Sequence, residues 1–313
     1  MSTDPIFPLR LRRGDTIGLC CPAGPVRDPQ RLEAGIRLIE TAGFRVKIQG
    51  PVKPRSGYLA DSDKERARHL MQLWSDPEVK ALIAVRGGFG CLRMVDLLDW
   101  ELIRNEPKLL AGFSDLTVLL GALVQRAGLV AIHGPMAASL ARVDTRSQHS
   151  LFALLTGELP EAISCKDMEV LRGGISRGRL TGGNLATLCH LLGTPWDADW
   201  DGAVLVLEDT NEPLYRLDRM LTQLALAGRL ERLAGLVLSD FDTSGDTLEN
   251  LRLQEAVWSR VLELAGPNYP IWGRFPCGHQ KRNLALPLGM EAIMDSSAGV
   301  LRLVPDSVRF APC

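Results

Sequence analysis

Short apolar runs alternate with amphipathic stretches through the first 133 residues of this 313-residue chain. Asp15–Cys21, Phe44–Ile48, Val79–Val85, Leu109–Ala111 and Leu129–His133 read as strands. Most of these runs are nearly continuous in apolar residues, the pattern of a strand buried on both faces. Between them, Gln30–Ala42 sets Leu32, Ile36 and Ile39 on one helical face and closes at Gly43. Asp63–Trp74 reads as a charged surface helix, and Leu92–Leu98 begins another. Leu116, Leu119, Leu120 and Leu123 follow helical spacing within Leu116–Ala127. Alternation this regular predicts an α/β fold, a parallel sheet flanked by helices. In such sheets ligands sit beyond the carboxyl ends of the strands. The corners after Cys21, Val85, Ala111 and Ile132 are therefore expected along one rim.

After about Pro160 the pattern changes. Ile163–Leu171 reads as irregular, and Gly173–Leu180 as a turn and a short strand. Further strands are expected at Ala203–Leu207, Gly235–Ser239, Ala292–Asp295 and Val300–Val304. Helices are expected at Leu185–Leu192, Tyr215–Ala227 and Leu251–Leu264. Short strands mixed with helices predict a smaller C-terminal α+β domain with barrel-like strands. The expected division is 1–160 and 161–313, with a linker near 157–172.

Composition removes several classes of function. A net charge of -1 offers no electrostatic footprint for nucleic acid or a membrane surface. No stretch approaches the ~20 unbroken apolar residues of a membrane span. Residues 1–8 lack the basic end and apolar core of a secretory signal. The seven cysteines are odd in number and scattered, with no C-x-x-C, which fits reduced thiols and a cytoplasmic location. His69, His133, His149, His190 and His279 form no i, i+4 pair and no H-E-x-x-H helix, so no metal is expected.

Five stretches hold groups capable of chemistry. In Lys108–Leu120, Gly112 turns an apolar strand into a helix and Ser114 stands at the handover. Ser114 either caps the helix or presents a hydroxyl above the sheet, beside the N–H groups of the new helix. The full G-x-S-x-G elbow is absent, because Leu116 stands where its second glycine would be. Arg86-Gly87-Gly88-Phe89-Gly90 is not a dinucleotide fingerprint; it is a plain βα turn or one whose N–H groups hold an oxyanion. Glu208 and Asp209 follow an apolar strand and are either a solvated strand end or a carboxylate that orients a histidine. His279 lies in the Gly- and Pro-bearing loop Phe275–Arg282, where functional residues gather and ordinary surface histidines also occur. Gly182-Gly183-Asn184 leads into a helix, with the glycines permitting close backbone approach and Asn184 able to serve as N-cap. A serine needs a base to take its proton, and the base needs a third group to set its tautomer. Ser114, Glu208 and His279 supply those types, the serine in the first part and its partners in the second. A binding protein holding phosphate or nucleotide on its glycine loops is the non-catalytic alternative.

Nine motifs in order then resemble the LD-carboxypeptidase family of serine peptidases. They are Cys21–Gly24, Val85–Gly90, Gly112–Thr117, His133–Met136, Gly182–Leu185, Leu192–Trp196, Leu207–Asp209, Tyr215–Leu221 and Gly278-His279, spanning about residues 9 to 305. The resemblance implies Ser114 as nucleophile, His279 as general base and Glu208 as its orienting partner. It implies an oxyanion hole from the N–H groups of Gly88 and Asp115. It also implies a homodimer whose protomers each have an α/β domain and a smaller second domain, with the site between them. The implied substrate is a murein tetrapeptide, cut between the L-centre of its diamino acid and terminal D-alanine. Hydrolysis by a serine, a histidine and an acid needs no cofactor. Arg86 is a candidate for the substrate carboxylate, with Gly183 and Asn184 as further binding residues. A sister group of the family hydrolyses a peptide-nucleotide antibiotic instead, and the Glu-Asp-x-x-Glu-Pro stretch at 208–213 looks closer to the recycling enzymes. Departures from the family pattern are mild: Cys20-Cys21 before the first proline, and Phe89 where tyrosine is common.

Overall fold

A computed structural model describes residues 4–52, 57–164, 167–242 and 247–311. The chain forms two compact units, each crossed more than once. The first comprises Met1–Leu159, Lys281–Gly289 and Asp306–Cys313; the second comprises Pro160–Gln280 and Met290–Pro305.

Six strands form the main sheet of the first unit. Across the sheet they run Arg45–Gln49, Thr16–Cys20, Val79–Ala84, Leu109–Gly112, Ala131–His133 and Leu286–Leu288. The first five are mutually parallel and the last is antiparallel to its neighbour. The central strands are fully buried, as their apolar runs require. Connection order reverses between Thr16–Cys20 and Val79–Ala84, so the crevice beyond those two carboxyl ends is a topological switch point. Asp28 caps the helix Pro29–Thr41, its carboxylate accepting from the N–H groups of Gln30 and Arg31 at 3.1 and 3.2 Å. Gly35 on that helix lets the Ala137 carbonyl approach where a Cβ would stand. The expected helix Leu116–Ala127 is three local geometries: a tight turn at Ser114–Leu116, an α-helix at Thr117–Ala122 and a wide π turn at Leu123–Ala127. Asp63–Trp74 is a helix as expected, but not a purely surface one, since it buries Arg66, Ala67, Leu70, Leu73 and Trp74.

In the second unit, eight strands form one mixed sheet. Its order is Ala162–Ser164, Val300–Leu303, Glu291–Asp295, Ile175–Asn184, Ala203–Thr210, Gly235–Asp242, Ile271–Gly273 and Glu169–Arg172. The four strands from Ile175–Asn184 to Ile271–Gly273 are parallel in register. Helices Leu185–Leu191, Leu214–Leu226 and Thr247–Leu264 complete the unit. The second unit departs from the sequence pattern in two places. Part of the stretch expected to be irregular pairs at the two outer edges of the sheet, as Ala162–Ser164 and Glu169–Arg172, with 165–166 outside the described residues. The short strand expected before Leu180 is instead ten residues long, Ile175–Asn184, because it pairs on both sides. Parallel pairing places the carboxyl ends of these strands, with Asn184, Glu208 and Asp242 on them, at one edge of the unit.

Candidate active site

At the carboxyl rim of the first sheet, Ser114 adopts φ 64. A non-glycine residue in the left-handed region stores about 1–3 kcal/mol of strain, held only where its surroundings demand it. Here the demand is visible on both sides. A Cβ on Gly112 would meet the Leu116 side chain at 2.8 Å, and one on Gly87 would meet Ser114 Cβ and Oγ at 3.0 Å. Gly87 thus brings its loop against the serine with no side chain between. Gly88 follows at φ 131, exposed, packed on the Gly24 backbone. The Gly24 N–H donates to the Gly87 carbonyl at 3.2 Å. Asp115, 7% exposed, accepts the Cys91 N–H at 2.9 Å, tying the serine corner to the far end of the glycine loop.

The second unit assembles a carboxylate and an imidazole. Glu208 lies on the parallel strand Ala203–Thr210, opposite a bulge: Leu207 pairs with Leu238 but Asp209 pairs with Phe241. A bulge re-aims side chains and leaves backbone groups unpaired. Gln254, from the helix Thr247–Leu264, meets both needs, accepting from the Phe241 N–H at 2.8 Å and donating to the Ser239 carbonyl at 3.3 Å. The buried Ser239 hydroxyl donates to the Cys277 carbonyl in the histidine loop. At Gly278, φ 84, the loop passes so close that a Cβ would stand 2.5 Å from Glu208 Oε2. His279 Nδ1 then lies 2.6 Å from that same oxygen. The Glu208 side chain is 1% exposed and that of His279 25%. Burial disfavours a charged imidazole, but the adjacent Glu208 carboxylate outweighs it, with Asp209 and Asp242 adding to it, so the His279 pKa is raised.

Asp209, next along the strand, turns elsewhere. Its carboxylate accepts from Asn184 Nδ2 at 3.0 Å, the Ala186 N–H at 2.9 Å and the Thr210 N–H at 2.8 Å. Burial, then repulsion from Glu208, push its pKa up to about 6. Asn184 caps the helix Leu185–Leu191 by accepting the Thr187 N–H at 3.0 Å, and Gly183 precedes it at φ 139. Arg86 is half-buried and donates to the Pro25 carbonyl at 3.1 Å. Burial, then the nearby Arg27 charge, lower its pKa. Among the described residues no carboxylate pairs with it. Sequence reasoning missed Arg66, Gln254, Ser239 and the Asp115 carboxylate, whose work is to hold the loops in place.

Within each unit, then, the carboxyl-end rim carries polar groups in strained or buried settings, the mark of a candidate functional site. Models of the LD-carboxypeptidase N-terminal domain and of the LD-carboxypeptidase C-terminal domain match residues 17–134 and 177–294. A probable murein peptide carboxypeptidase of Bacillus subtilis (strain 168) is 36% identical over 298 residues, covering 93% of this chain and 92% of the relative. The crystal structure of a muramoyltetrapeptide carboxypeptidase from Oxalobacter formigenes is 31% identical with a TM-score of 0.78, covering 92% of this chain and 97% of that one. The microcin C7 self-immunity protein MccF shares the fold at 23% identity and a TM-score of 0.85, over 97% of this chain and 100% of that one. These matches and the fold define a serine-type carboxypeptidase, a hydrolase. The chain belongs to the LD-carboxypeptidase family. Among the described residues no helix is long and apolar enough to cross a membrane, and no cluster of three His, Cys, Asp or Glu side chains is placed to hold a metal ion.

Proposed function

We propose that this enzyme hydrolyses the L,D-peptide bond of murein tetrapeptides, releasing the terminal D-alanine through a Ser114–His279–Glu208 triad. The observation that carries the reading is the 2.6 Å contact between His279 Nδ1 and the buried Glu208 carboxylate. That contact leaves Nε2 as the basic nitrogen, the tautomer a general base needs. His279 takes the Ser114 proton as Oγ attacks the carbonyl before the D-residue. The N–H groups of Gly88 and Asp115 hold the oxyanion, each donor worth about 3–4 kcal/mol in the barrier. His279 then gives its proton to the leaving amine, and water attacks the acyl-enzyme with His279 again as base. Arg86 receives the substrate carboxylate, a role favoured by a half-buried guanidinium with which no carboxylate pairs among the described residues. Asn184 spends its carboxamide on the helix cap and on Asp209, so it and Gly183 meet substrate through backbone. The recycling role belongs to a cytoplasmic homodimer that needs no cofactor and binds neither nucleic acid nor membrane. Support for the substrate comes from what the relatives are named for, a murein peptide in one case and a muramoyl tetrapeptide in the other.

The test is mass spectrometry of products from a panel of muropeptides, with Ser114→Ala beside the wild type. Loss of D-alanine release in a variant that still folds is the expected result. Undiminished release by Ser114→Ala removes the serine from the mechanism. Turnover of an aminoacyl-adenylate analogue, with none of the tetrapeptide, would assign the enzyme to the immunity-type chemistry.

A further inference from the structure

Arg66 is 1% exposed on a helix whose sequence reads as surface. A buried guanidinium is tolerated only where its donors are matched. Its partners are unusual for a helix arginine. Nη1 meets the carbonyls of Pro22 and Gly90, the latter at 2.9 Å, and Nε donates to the Asp61 carbonyl at 3.2 Å. Nη2 pairs with Asp63, which is held in turn by Arg93 at 2.9 Å. The three carbonyls come from three separate segments. Pro22 follows the first parallel strand, Asp61 precedes the helix, and Gly90 ends the glycine loop.

These segments are also tied to one another. The Ala60 N–H donates to the Ala23 carbonyl at 2.9 Å, and the Gly24 N–H to Gly87 at 3.2 Å. Gly90 sits at φ 126, where a Cβ would stand 2.8 Å from Arg66 Nη1, so the guanidinium packs directly on the glycine backbone. One residue later, the Cys91 N–H is held by Asp115. Gly88 therefore lies in a short span between two anchored points, Gly87 against Ser114 and Gly90 against Arg66. Glycines on both sides leave that span soft unless its ends are held.

We infer that Arg66 is a positioning residue for the oxyanion-binding loop, setting where the Gly88 N–H points relative to Ser114. The inference rests on the role proposed above for Gly88. Lysine cannot substitute, because one ammonium lacks the planar fork that reaches several acceptors at once. A donor misplaced by about an ångström costs up to ~10²-fold in rate.

The experiment compares wild type, Arg66→Lys and Arg66→Ala for kcat and KM on an L,D-tetrapeptide, with kcat expressed per titrated serine. A phosphonate analogue of the tetrahedral intermediate is measured alongside as inhibitor. For Arg66→Lys the expected result is a kcat lower by about 10- to 100-fold with KM within about threefold. Phosphonate affinity should fall by the same factor as kcat/KM, the signature of lost transition-state complementarity. Added guanidinium should restore part of the Arg66→Ala rate; where that variant does not fold, the lysine variant carries the test. A merely structural role predicts fewer active sites but unchanged kcat per site and unchanged phosphonate affinity, and that result would overturn the inference. A wild type that releases no D-alanine sinks the functional reading and this inference together. An Arg66→Lys enzyme that matches an active wild type sinks the inference alone.

Discussion

Replacing Gly278 with alanine tests whether the histidine loop is built around the buried carboxylate. Gly278 stands at φ 84, where an L-residue costs about 1–2 kcal/mol. The added Cβ would also lie 2.5 Å from Glu208 Oε2, 2.8 Å from its Cγ and 2.9 Å from its Cβ. The Glu208 side chain is 1% exposed and has little room to yield, so the loop and the carboxylate must part. Parting them weakens a hydrogen bond to a charged group, worth about 1.5–3 kcal/mol. The two costs together predict a loss of roughly 2.5–5 kcal/mol in unfolding free energy. Gly299→Ala is the control, because Gly299 has φ 63 and nothing within 4 Å of an added Cβ. That variant should lose stability through backbone strain alone, about 1–2 kcal/mol. Urea denaturation of both variants isolates the contact with Glu208 as their difference, about 1.5–3 kcal/mol. Under the proposed mechanism Gly278→Ala also loses ~10²-fold or more in kcat/KM on the tetrapeptide, while Gly299→Ala keeps wild-type rates. Equal stability losses in the two variants, or a fully active Gly278→Ala, would refute the reasoning.

Two further substitutions probe the same unit. Glu208→Gln removes the counter-charge that raises the His279 pKa while leaving the burial that lowers it. Activity needs the neutral imidazole, so the acid limb of kcat/KM should move to lower pH and the plateau should fall ~10²–10⁴-fold; a limb that stays put would exclude this pair as the titrating group. Linkage gives the same variant a stability signature. A raised folded pKa supplies stability present in full below the ordinary value of about 6.5 and lost as pH rises through the raised one. Urea titrations across that window should find the slope reduced in Glu208→Gln. Gln254→Leu strips the Phe241 N–H and the Ser239 carbonyl of their partner at the bulge. Each buried group left unmatched costs about 1–3 kcal/mol, so chemical denaturation should register a loss of roughly 2–6 kcal/mol; a loss under ~0.5 kcal/mol would mean the bulge finds other partners.

The first sheet is legible from sequence because strands buried on both faces must be apolar along their whole length, as Thr16–Cys20 and Leu109–Gly112 are. What the sequence hides is pairing without a local signature. Leu286–Leu288 joins Ala131–His133 from more than 150 residues away, and Pro287 inside it argues against a strand. Proline is tolerated there because the strand is the outer edge of its sheet. Ala162–Ser164 and Glu169–Arg172 escaped for a related reason: they are the outermost strands of the second sheet and largely exposed, so they lack an apolar run. Arg66 was invisible as a buried group because a charged helix looks the same whether its guanidinium faces solvent or lies beneath three loops.

The site divides along the same line. Residue types were readable, but the choice of Glu208 over Asp209 came from the family resemblance and not from the local pattern, since both follow one apolar strand. Successive side chains of a strand point to opposite faces, so only one of the two can meet a given histidine. Glu208 meets His279, and Asp209 holds Asn184 and the helix after it. The serine corner shows the converse. Leu116 stands where a serine elbow has its second glycine, which weakened the motif on paper. In the fold, Leu116 packs its side chain over Gly112, and the surface facing the Ser114 hydroxyl is cleared by Gly87 on another loop. The elbow needs small residues at the points of contact with the strained serine, wherever in the chain those points originate. Replacing Gly87 should therefore disturb the Ser114 conformation as surely as replacing Gly112, although no local motif links residue 87 to residue 114.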